Sequence, residues 1–320
     1  MRRRIWRNSP WDALLLAFSL GQAAVTLWWA LTWDSAPALG RIGEFAGLAI
    51  MMSYNIIVVS HLFTHAAWFT SPRLNAAVSV LNSVNIGQSV QAYHLTHVRN
   101  HHRFNNDAQD ESGVTRDTTS TYRKGRDGEH QALLAYALGG ALDTLLSRAR
   151  EVLMAGRLWR VGEHETTLLA LVSRREPRRS RELGQVRADR AAHVLSLAVL
   201  TAVSWQWTLL CYLPAFFTAL TMVNVQNYYR HYGANPHDRA ADSVSHYGRL
   251  YNLLTFNDGF HQEHHLSPSA HWSRLPAVRE TNRDRLDTRP RVVSPVPAML
   301  GFLHPTRPLL HRTTGQRSGS

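Results

Sequence analysis

The chain has 320 residues, of which 44% are hydrophobic, and a formal net charge of +12 that comes almost entirely from arginine. A charge of this size suits nucleic acid or an anionic membrane surface; because the chain has no nucleic-acid-binding motif and its apolar residues lie in blocks, we expect a membrane and no nucleic acid. The single cysteine, Cys211, excludes a disulfide framework, a Cys-x-x-Cys iron site and an iron–sulfur motif within the chain.

Four apolar blocks are predicted to span a bilayer, which requires roughly 20 residues each. The first two lie at about residues 11–33 and 42–60. The third and fourth, at about 191–207 and 208–228, divide one long apolar run near Trp205. For that run, a single tilted span followed by an interfacial piece is the alternative. The four blocks predict two hairpins that cross the membrane.

The arginines predict the orientation, because basic residues collect on the cytoplasmic side of membrane proteins. They precede the first block, recur throughout 174–190 and return after Tyr228, whereas the connection 34–40 has none. Both termini and the middle region are therefore predicted to be cytoplasmic. The basic residues before the first block also suit a secretory signal, but the apolar run 11–33 is too long for a signal core.

Two further segments have a predicted character of their own. Residues 131–146 show the pattern of an amphipathic helix on a membrane surface. Residues 306–320 are polar and are predicted to be disordered, so we place the membrane domain at residues 1–305.

Eighteen histidines are present, and most of the candidate ligands lie in short clusters. The clusters are HLFTH at 61–65, HVRNHH at 97–102 and HQEHH at 261–265, with His231 alone in NYYRHYG. Side chains three or four residues apart share one helix face, so His61 and His65 can address one metal ion. A particular three-histidine pattern is expected only about 0.06 times by chance in such a chain. The clusters therefore predict a metal centre.

The middle cluster leaves alternatives open. His102 lies about 140° around an ideal helix from His97, so either it serves a different metal or the helix is distorted there. His94 shares a stripe with His97 and can replace a ligand. His246 and His271 lie near the clusters and are candidates for supporting roles, His246 also as a substitute ligand. The remaining histidines are expected at the surface: His130, His164, His193, His237, His304 and His311.

The donor set predicts the kind of centre. Eight or more imidazoles are too many for one ion, so two metals are implied. A closed structural zinc site usually includes thiolate, which Cys211 cannot supply from within a predicted span. Soluble di-iron bundles use mainly Glu ligands, and here only Glu263 lies inside a cluster.

These motifs resemble those of the integral-membrane fatty acid desaturases and the related alkane and carotenoid hydroxylases. The matching stretches, in order, are HLFTH at 61–65, HVRNHHRFNND at 97–107, NYYRHYG at 227–233, FNDGFHQEHH at 256–265 and HWSRLP at 271–276. The resemblance covers roughly residues 11–276. It implies an all-α membrane protein in which four transmembrane helices lie under a cytoplasmic helical cap that carries a histidine-ligated di-iron site. HVRNHH and NYYRHYG are closer to alkane hydroxylases, whereas HHRFNND and HWSRLP are closer to bacterial desaturases.

The resemblance also implies the site residues. Asn227 corresponds to an asparagine that acts near one metal through water, and we expect it to be catalytic. The implied metal ligands are His61, His65, His97, His101, His102, His231, His261, His264 and His265.

The expected function is O2-dependent oxidation of an unactivated C–H bond in a fatty acyl or other lipid-like chain by a non-haem di-iron oxidoreductase. We expect desaturation, with hydroxylation as the alternative and a non-enzymatic metal-binding or transport protein as a distant one. The resemblance implies two iron ions, O2 as co-substrate and a separate ferredoxin, rubredoxin or cytochrome with its reductase as electron donor. The expected location is a bacterial inner membrane, with the active site on the cytoplasmic face.

Overall fold

Three helical segments are long and apolar enough to cross a membrane: Asp12–Ser35, Ala38–His65 and Trp205–His231. They belong to a computed structural model that describes residues 4–153 and 163–304. By length and composition, these segments indicate an integral membrane protein. The second segment extends past the predicted end at residue 60, so His61 and His65 form its last turn. The third segment ends at His231, so this histidine also lies at the end of a candidate span.

The described residues are helical apart from loops and two isolated β-bridges. The helices up to residue 153 are α1 Asp12–Thr32, α2 Ala38–Tyr54, α3 His61–His65, α4 Pro72–Ile86, α5 Val90–Thr96, α6 His102–Phe104 and α7 Leu133–Leu153. Those after residue 162 are α8 Glu163–Leu171, α9 Arg178–Val203, α10 Trp205–Trp207, α11 Leu213–His231, α12 Arg249–Leu254, α13 His261–Leu266, α14 Leu275–Thr281 and α15 Arg283–Asp287. The predicted tail 306–320 lies outside the described residues.

The helix α9 differs from the predicted third span. It begins at Arg178 rather than near residue 191, and it carries the buried pair Asp189 and Arg190, so it is not among the three long apolar segments. The helix ends at Val203, and the extended Ser204 caps the next helix through a 3.2 Å hydrogen bond from the Trp207 backbone amide. The long apolar run is therefore divided at Ser204, three residues before the predicted boundary.

The chain divides into two compact units, of which unit 1 comprises Met1–Thr96 and Gly140–Thr221. A buried polar network joins its apolar helices. The Gln22 amide donates to the Asn85 carbonyl at 2.9 Å, the Asn55 amide donates to Gln22 at 2.8 Å, and the Ser60 hydroxyl donates to Asn55 at 2.7 Å. Polar groups in an apolar bundle are costly unless they are hydrogen-bonded, so these contacts fix the π-helical stretch Asn55–Ser60 that leads from α2 to His61.

Unit 2 comprises His97–Gly139 and Met222–Ser320. The buried Asp258 carboxylate accepts hydrogen bonds from Arg230 and Gln226 in α11 and from Tyr251 in α12. A parallel bridge between Ser245 and Val293 joins the two loops that follow α11 and α15. These contacts hold the C-terminal end of α11 against the segment that leads into α13.

Amphipathic α7 agrees with the prediction for residues 131–146. Leu134, Leu138, Leu142 and Leu146, spaced four residues apart, are all exposed. An apolar row on one helix face is typical of a helix that lies on a membrane surface.

Candidate metal centre

Three buried histidines of unit 2 converge on one point. One ring nitrogen of each of His101, His231 and His265 lies within 4.8 Å of the others. Their exposed fractions are 1%, 0% and 3%. They come from three places along the chain: the turn after α5, the end of α11 and the last turn of α13. A set of this kind has the donor atoms and the spacing of a metal site.

Two of these rings are oriented by a hydrogen bond on Nδ1, and the third lies close to a carboxylate. The Nδ1 of His101 lies 2.7 Å from the Asp117 carboxylate, and the Nδ1 of His231 lies 3.1 Å from the Asp242 carbonyl oxygen. The Nδ1 of His265 is 3.6 Å from the Asp242 carboxylate. Metal-binding imidazoles are commonly oriented by such partners on the nitrogen that does not bind the ion.

The remaining ring nitrogens are available to an ion. Within residues 4–153 and 163–304, the Nε2 atoms of His101 and His231 and both ring nitrogens of His265 have no hydrogen-bond partner. Leaving buried polar atoms unsatisfied costs about 1–3 kcal/mol each, which a coordinated metal would offset. These residues therefore fit a metal ion.

The protonation states suit metal binding. Burial, reinforced by the neighbouring histidines, holds the pKa of His265 well below its usual value, which favours the neutral form that coordinates metals. Burial alone would raise the pKa of Asp117, but the interactions with His101 and Thr119 bring it below its ordinary value. Burial raises the pKa of Asp242 to about 7, although Gln262 and Ser243 donate hydrogen bonds to its carboxylate.

A second group of imidazoles lies in unit 2. One ring nitrogen of each of His97, His102 and His264 lies within 4.8 Å of the others. The Nε2 atoms of His97 and His102 are 3.1 Å apart, and the ring centroids of His102 and His264 are 4.6 Å apart. His102 and His264 are buried, and His97 is half-buried.

A π-helical turn over His97–His101 decides between the alternatives left open for the middle cluster. The helix is distorted: the wider turn brings residues five apart onto one face, so His102 joins His97 although an ideal helix would separate them. His101 is directed into the other group. One short segment thus contributes to both groups.

In unit 1, His61 and His65 lie one turn apart in α3, as their spacing predicts, with ring centroids 5.0 Å apart. His261 is outside both groups of unit 2, although its ring centroid is 4.5 Å from that of His265. The substitutes proposed from sequence are also outside the groups. The Nδ1 of His94 is 2.8 Å from the Thr64 carbonyl oxygen.

Other histidines are placed as follows. The Nδ1 of His246 is 3.0 Å from the Ser294 carbonyl oxygen, and that of His271 is 2.9 Å from the Ser273 hydroxyl. The expectation of a surface position is wrong for His193, which is buried, and for His130, which is half-buried among tyrosines. His237 is exposed as expected, and His311 lies outside the described residues.

Asn227 does not contact either imidazole group directly. Its amide nitrogen donates to the Tyr136 hydroxyl at 2.6 Å, and that hydroxyl donates to the Thr119 carbonyl at 2.7 Å. The Thr119 hydroxyl donates in turn to Asp117, which holds His101. A chain of hydrogen bonds therefore links Asn227 to His101.

Sequence reasoning missed Asp117, Asp242 and Tyr136. The two aspartates lie in loops, and Asp117 is 16 residues from the histidine that it holds. Neither a helical repeat nor a recognisable motif relates such residues to their partners, so the pattern contained no signal for them.

The family is decided by a match over most of the chain. The family model described as "Fatty acid desaturase" matches residues 39–296. The chain belongs to the fatty acid desaturase family. Curated relatives are similar over short segments: the sphingolipid delta(4)-desaturase of Candida albicans is 44% identical over 54 residues, 17% of this chain and 14% of that protein.

Two further relatives are also sphingolipid delta(4)-desaturases that are similar only over short segments. The sphingolipid delta(4)-desaturase of Komagataella phaffii is 36% identical over 70 residues, which are 22% of this desaturase-family chain and 19% of the relative. The sphingolipid delta(4)-desaturase DES1 of Drosophila melanogaster is 39% identical over 62 residues, 19% of each protein. The matched segments thus span less than a fifth of the length of these relatives.

Proposed function

We propose that this protein is a membrane-bound oxidoreductase that introduces a double bond into a fatty acyl or other lipid chain, with two iron ions and O2. Membership of the desaturase family supports the reaction class. The proposal of a metal site is supported by the buried set His101, His231 and His265, whose ring nitrogens without hydrogen bonds converge. Hydroxylation of the same kind of chain is the alternative outcome, because both reactions begin by breaking an unactivated C–H bond.

The proposed ligands are distributed over two ions. His101, His231 and His265 would hold one, and His97, His102 and His264 the other. The family resemblance adds His61, His65 and His261 as further ligands. When bound, the reduced iron ions would supply the activation of O2 that side chains cannot provide.

The protein's own residues orient the ligands. The Asp117 carboxylate fixes the ring of His101 and the Asp242 carbonyl fixes that of His231, while the Asp242 carboxylate lies 3.6 Å from His265 Nδ1. We propose that Asn227 remains close to the reaction and that Tyr136 holds its amide in place. The substrate's apolar chain would enter from the bilayer, where the apolar helices of the protein lie.

The substrate is proposed only as a lipid chain. The relatives are named for sphingolipids, but the similarity covers small segments of each chain. We further propose four spans, with α9 as the third along the chain. The site would lie on the cytoplasmic face, where a separate ferredoxin, rubredoxin or cytochrome with its reductase supplies electrons. The relatives come from yeasts and animals, so they do not support a bacterial inner membrane.

The topology has a direct test. Reporter tags at the N-terminus and near Arg178 should be accessible from the cytoplasm, and a tag near Ala36 should be accessible only from the opposite side. A tag near Arg178 that is found outside would contradict the cytoplasmic placement.

The reaction has its own test. The iron-loaded protein should consume O2 only when a reductant and a lipid substrate are both present. Mass spectrometry should then find a product that lacks two hydrogens; a product that gains one oxygen would select hydroxylation. A metal transporter, which should place its ligands near mid-bilayer, would show uptake of metal without O2 consumption.

A further inference from the structure

An exposed basic surface surrounds Phe104 in unit 2. The guanidinium groups of Arg103 and Arg116 lie 5.2 and 4.9 Å from the centroid of this ring. Arg239, which is also exposed, donates to the Arg103 carbonyl oxygen at 2.9 Å. Arg289 forms a 2.8 Å ion pair with Asp238, which precedes Arg239 in the chain, and so belongs to the same surface. We call Arg103, Arg116, Arg239 and Arg289 the arginine patch.

The patch carries uncompensated positive charge. Arg116 is paired with Asp107, and Arg289 with Asp238. In the part of the chain that the structure describes, Arg103 and Arg239 form no ion pair. Exposed charges without partners create a field that attracts molecules of the opposite sign.

The patch is joined to both histidine segments of unit 2. A guanidinium nitrogen of Arg239 donates to the carbonyl oxygen of His102 at 3.1 Å. The backbone carbonyl of Arg239 accepts from the side chain of Gln262 at 3.0 Å, and Gln262 lies next to His261 in α13. One exposed residue therefore connects solvent to both segments that carry the imidazole groups.

We propose that the arginine patch is the docking surface for an acidic one-electron carrier protein. The inference rests on the proposed function, which needs external electrons. Desaturation breaks two C–H bonds, forms a C=C bond and converts O2 into two water molecules. O2 takes up four electrons, two from the C–H bonds and two from the carrier, together with two protons from solvent, so the carrier docks twice per turnover. Hydroxylation also requires two electrons from the carrier.

Opposite charges steer such an encounter and fix its register. A negative carrier on Arg103 and Arg239 is separated from the proposed ligand His102 by one hydrogen bond and a short stretch of backbone. A generally basic surface would not have this connection. The patch is therefore distinguished from the other arginine-rich stretch, residues 174–190.

The test reverses one charge without disturbing the fold. The guanidinium group of Arg103 contacts only the Phe104 ring among the described interactions, so Arg103→Glu removes no hydrogen bond. The matched control is Arg174→Glu, which makes the same change at an exposed residue with no described ion pair. The probe is a purified [2Fe–2S] ferredoxin of net negative charge, and the readout is its Kd for the iron-loaded protein at low salt.

We expect Arg103→Glu to weaken ferredoxin binding about tenfold and Arg174→Glu to change it less than about twofold, with the difference shrinking at high salt. An unchanged Kd in Arg103→Glu overturns the proposal, and so does an equal loss in both variants. A third arm measures binding to phosphatidylserine vesicles. Weaker vesicle binding by Arg103→Glu with an unchanged ferredoxin Kd would assign the patch to anionic lipid instead.

Failure of the proposed function gives a different result. With dithionite as the reductant, Arg103→Glu and the parent should form equal amounts of product, because no carrier is needed. Absence of product from the parent with dithionite contradicts the oxidoreductase assignment and leaves the Kd comparison interpretable. Product loss by Arg103→Glu with dithionite would place Arg103 in the reaction rather than in docking.

Discussion

Histidine rings are buried in two parts of unit 2 with different consequences. The ring of His130 stacks on Tyr122 with centroids 4.0 Å apart, its Nδ1 is 2.7 Å from the Thr121 hydroxyl, and its Nε2 accepts from the Gly233 amide at 3.4 Å. His101, His231 and His265 are more deeply buried than His130, and within residues 4–153 and 163–304 each retains at least one ring nitrogen without a hydrogen bond. Burial alone therefore does not separate the proposed ligands from His130; their converging ring nitrogens without hydrogen bonds do.

We call His101, His231 and His265 the convergent set. Loss of one of these proposed ligands should have the largest effect on iron content and turnover. We expect His265→Ala to lower bound iron from about two ions per chain to about one and to reduce turnover to background. His130→Phe should keep both ions, because His130 already has partners for both nitrogens. The measurement is iron per chain beside product formation, with His237→Ala as the exposed control. A fully metallated, active His265→Ala protein would remove His265 from the proposed site.

The second prediction tests the support behind the set. Asp117→Asn keeps the size of the side chain but removes the charge that holds His101. We expect metal affinity or activity to fall by about 10- to 100-fold. Competition with a chelator measures the affinity, and circular dichroism checks the helical fold. An unchanged chelator midpoint together with parental activity would show that the His101 ring is held by its surroundings without the carboxylate.

Much of the fold and part of the candidate metal centre could be predicted from the sequence. The spacing of His61 and His65 placed both on one helix face, and three of the four apolar blocks coincide with helical segments long and apolar enough to cross a membrane. The π-helical turn at 97–101 was only one of two possibilities, because ideal helix geometry cannot reveal a local distortion. The third block differed because α9 begins at Arg178 and includes the buried Asp189, whose carboxylate is satisfied by hydrogen bonds from Ser79 and Ser89.

The supporting residues could not be predicted. Asn105 and Asn106 adopt left-handed conformations, with φ of 49° and 58°, and the loop that follows them returns Asp117 to His101. Asparagine tolerates the left-handed region of φ and ψ, but the sequence pattern does not predict which residue of the loop will contact His101. Long-range pairs formed by loops have no period to detect.

The third prediction concerns stability and His130. Burial lowers the pKa of His130 to about 4, below the value of about 6.5 in an unfolded chain. The folded state therefore binds fewer protons between these values, so its advantage is full above about pH 6.5 and is lost as the pH falls towards 4. At pH 5 the loss should be on the order of 2 kcal/mol. The apparent unfolding temperature in detergent should fall less with pH in His130→Phe than in the parent.

Two controls define this result. His237→Ala removes an exposed histidine and should leave the pH dependence of unfolding unchanged. Iron content at neutral pH should be the same in His130→Phe and the parent. If His130→Phe unfolds with the parental pH dependence, the ring of His130 is not the group that titrates.

The smallest effect is expected at the link between Asn227 and the convergent set. Tyr136→Phe removes the hydroxyl that accepts from Asn227 and donates to Thr119, while the ring keeps its place in the apolar cluster with Tyr228 and Ala298. Of the two hydrogen bonds lost, the one that positions Asn227 is worth about 1 kcal/mol, so kcat should fall about fivefold with iron content unchanged. Asn227→Ala should slow turnover in the same way. Because both variants lose the same hydrogen bond, between Asn227 and Tyr136, the double variant should be no slower than the slower single variant. Multiplicative losses would mean that Tyr136 and Asn227 act independently, and a parental kcat in Tyr136→Phe would show that Asn227 does not need this hydroxyl.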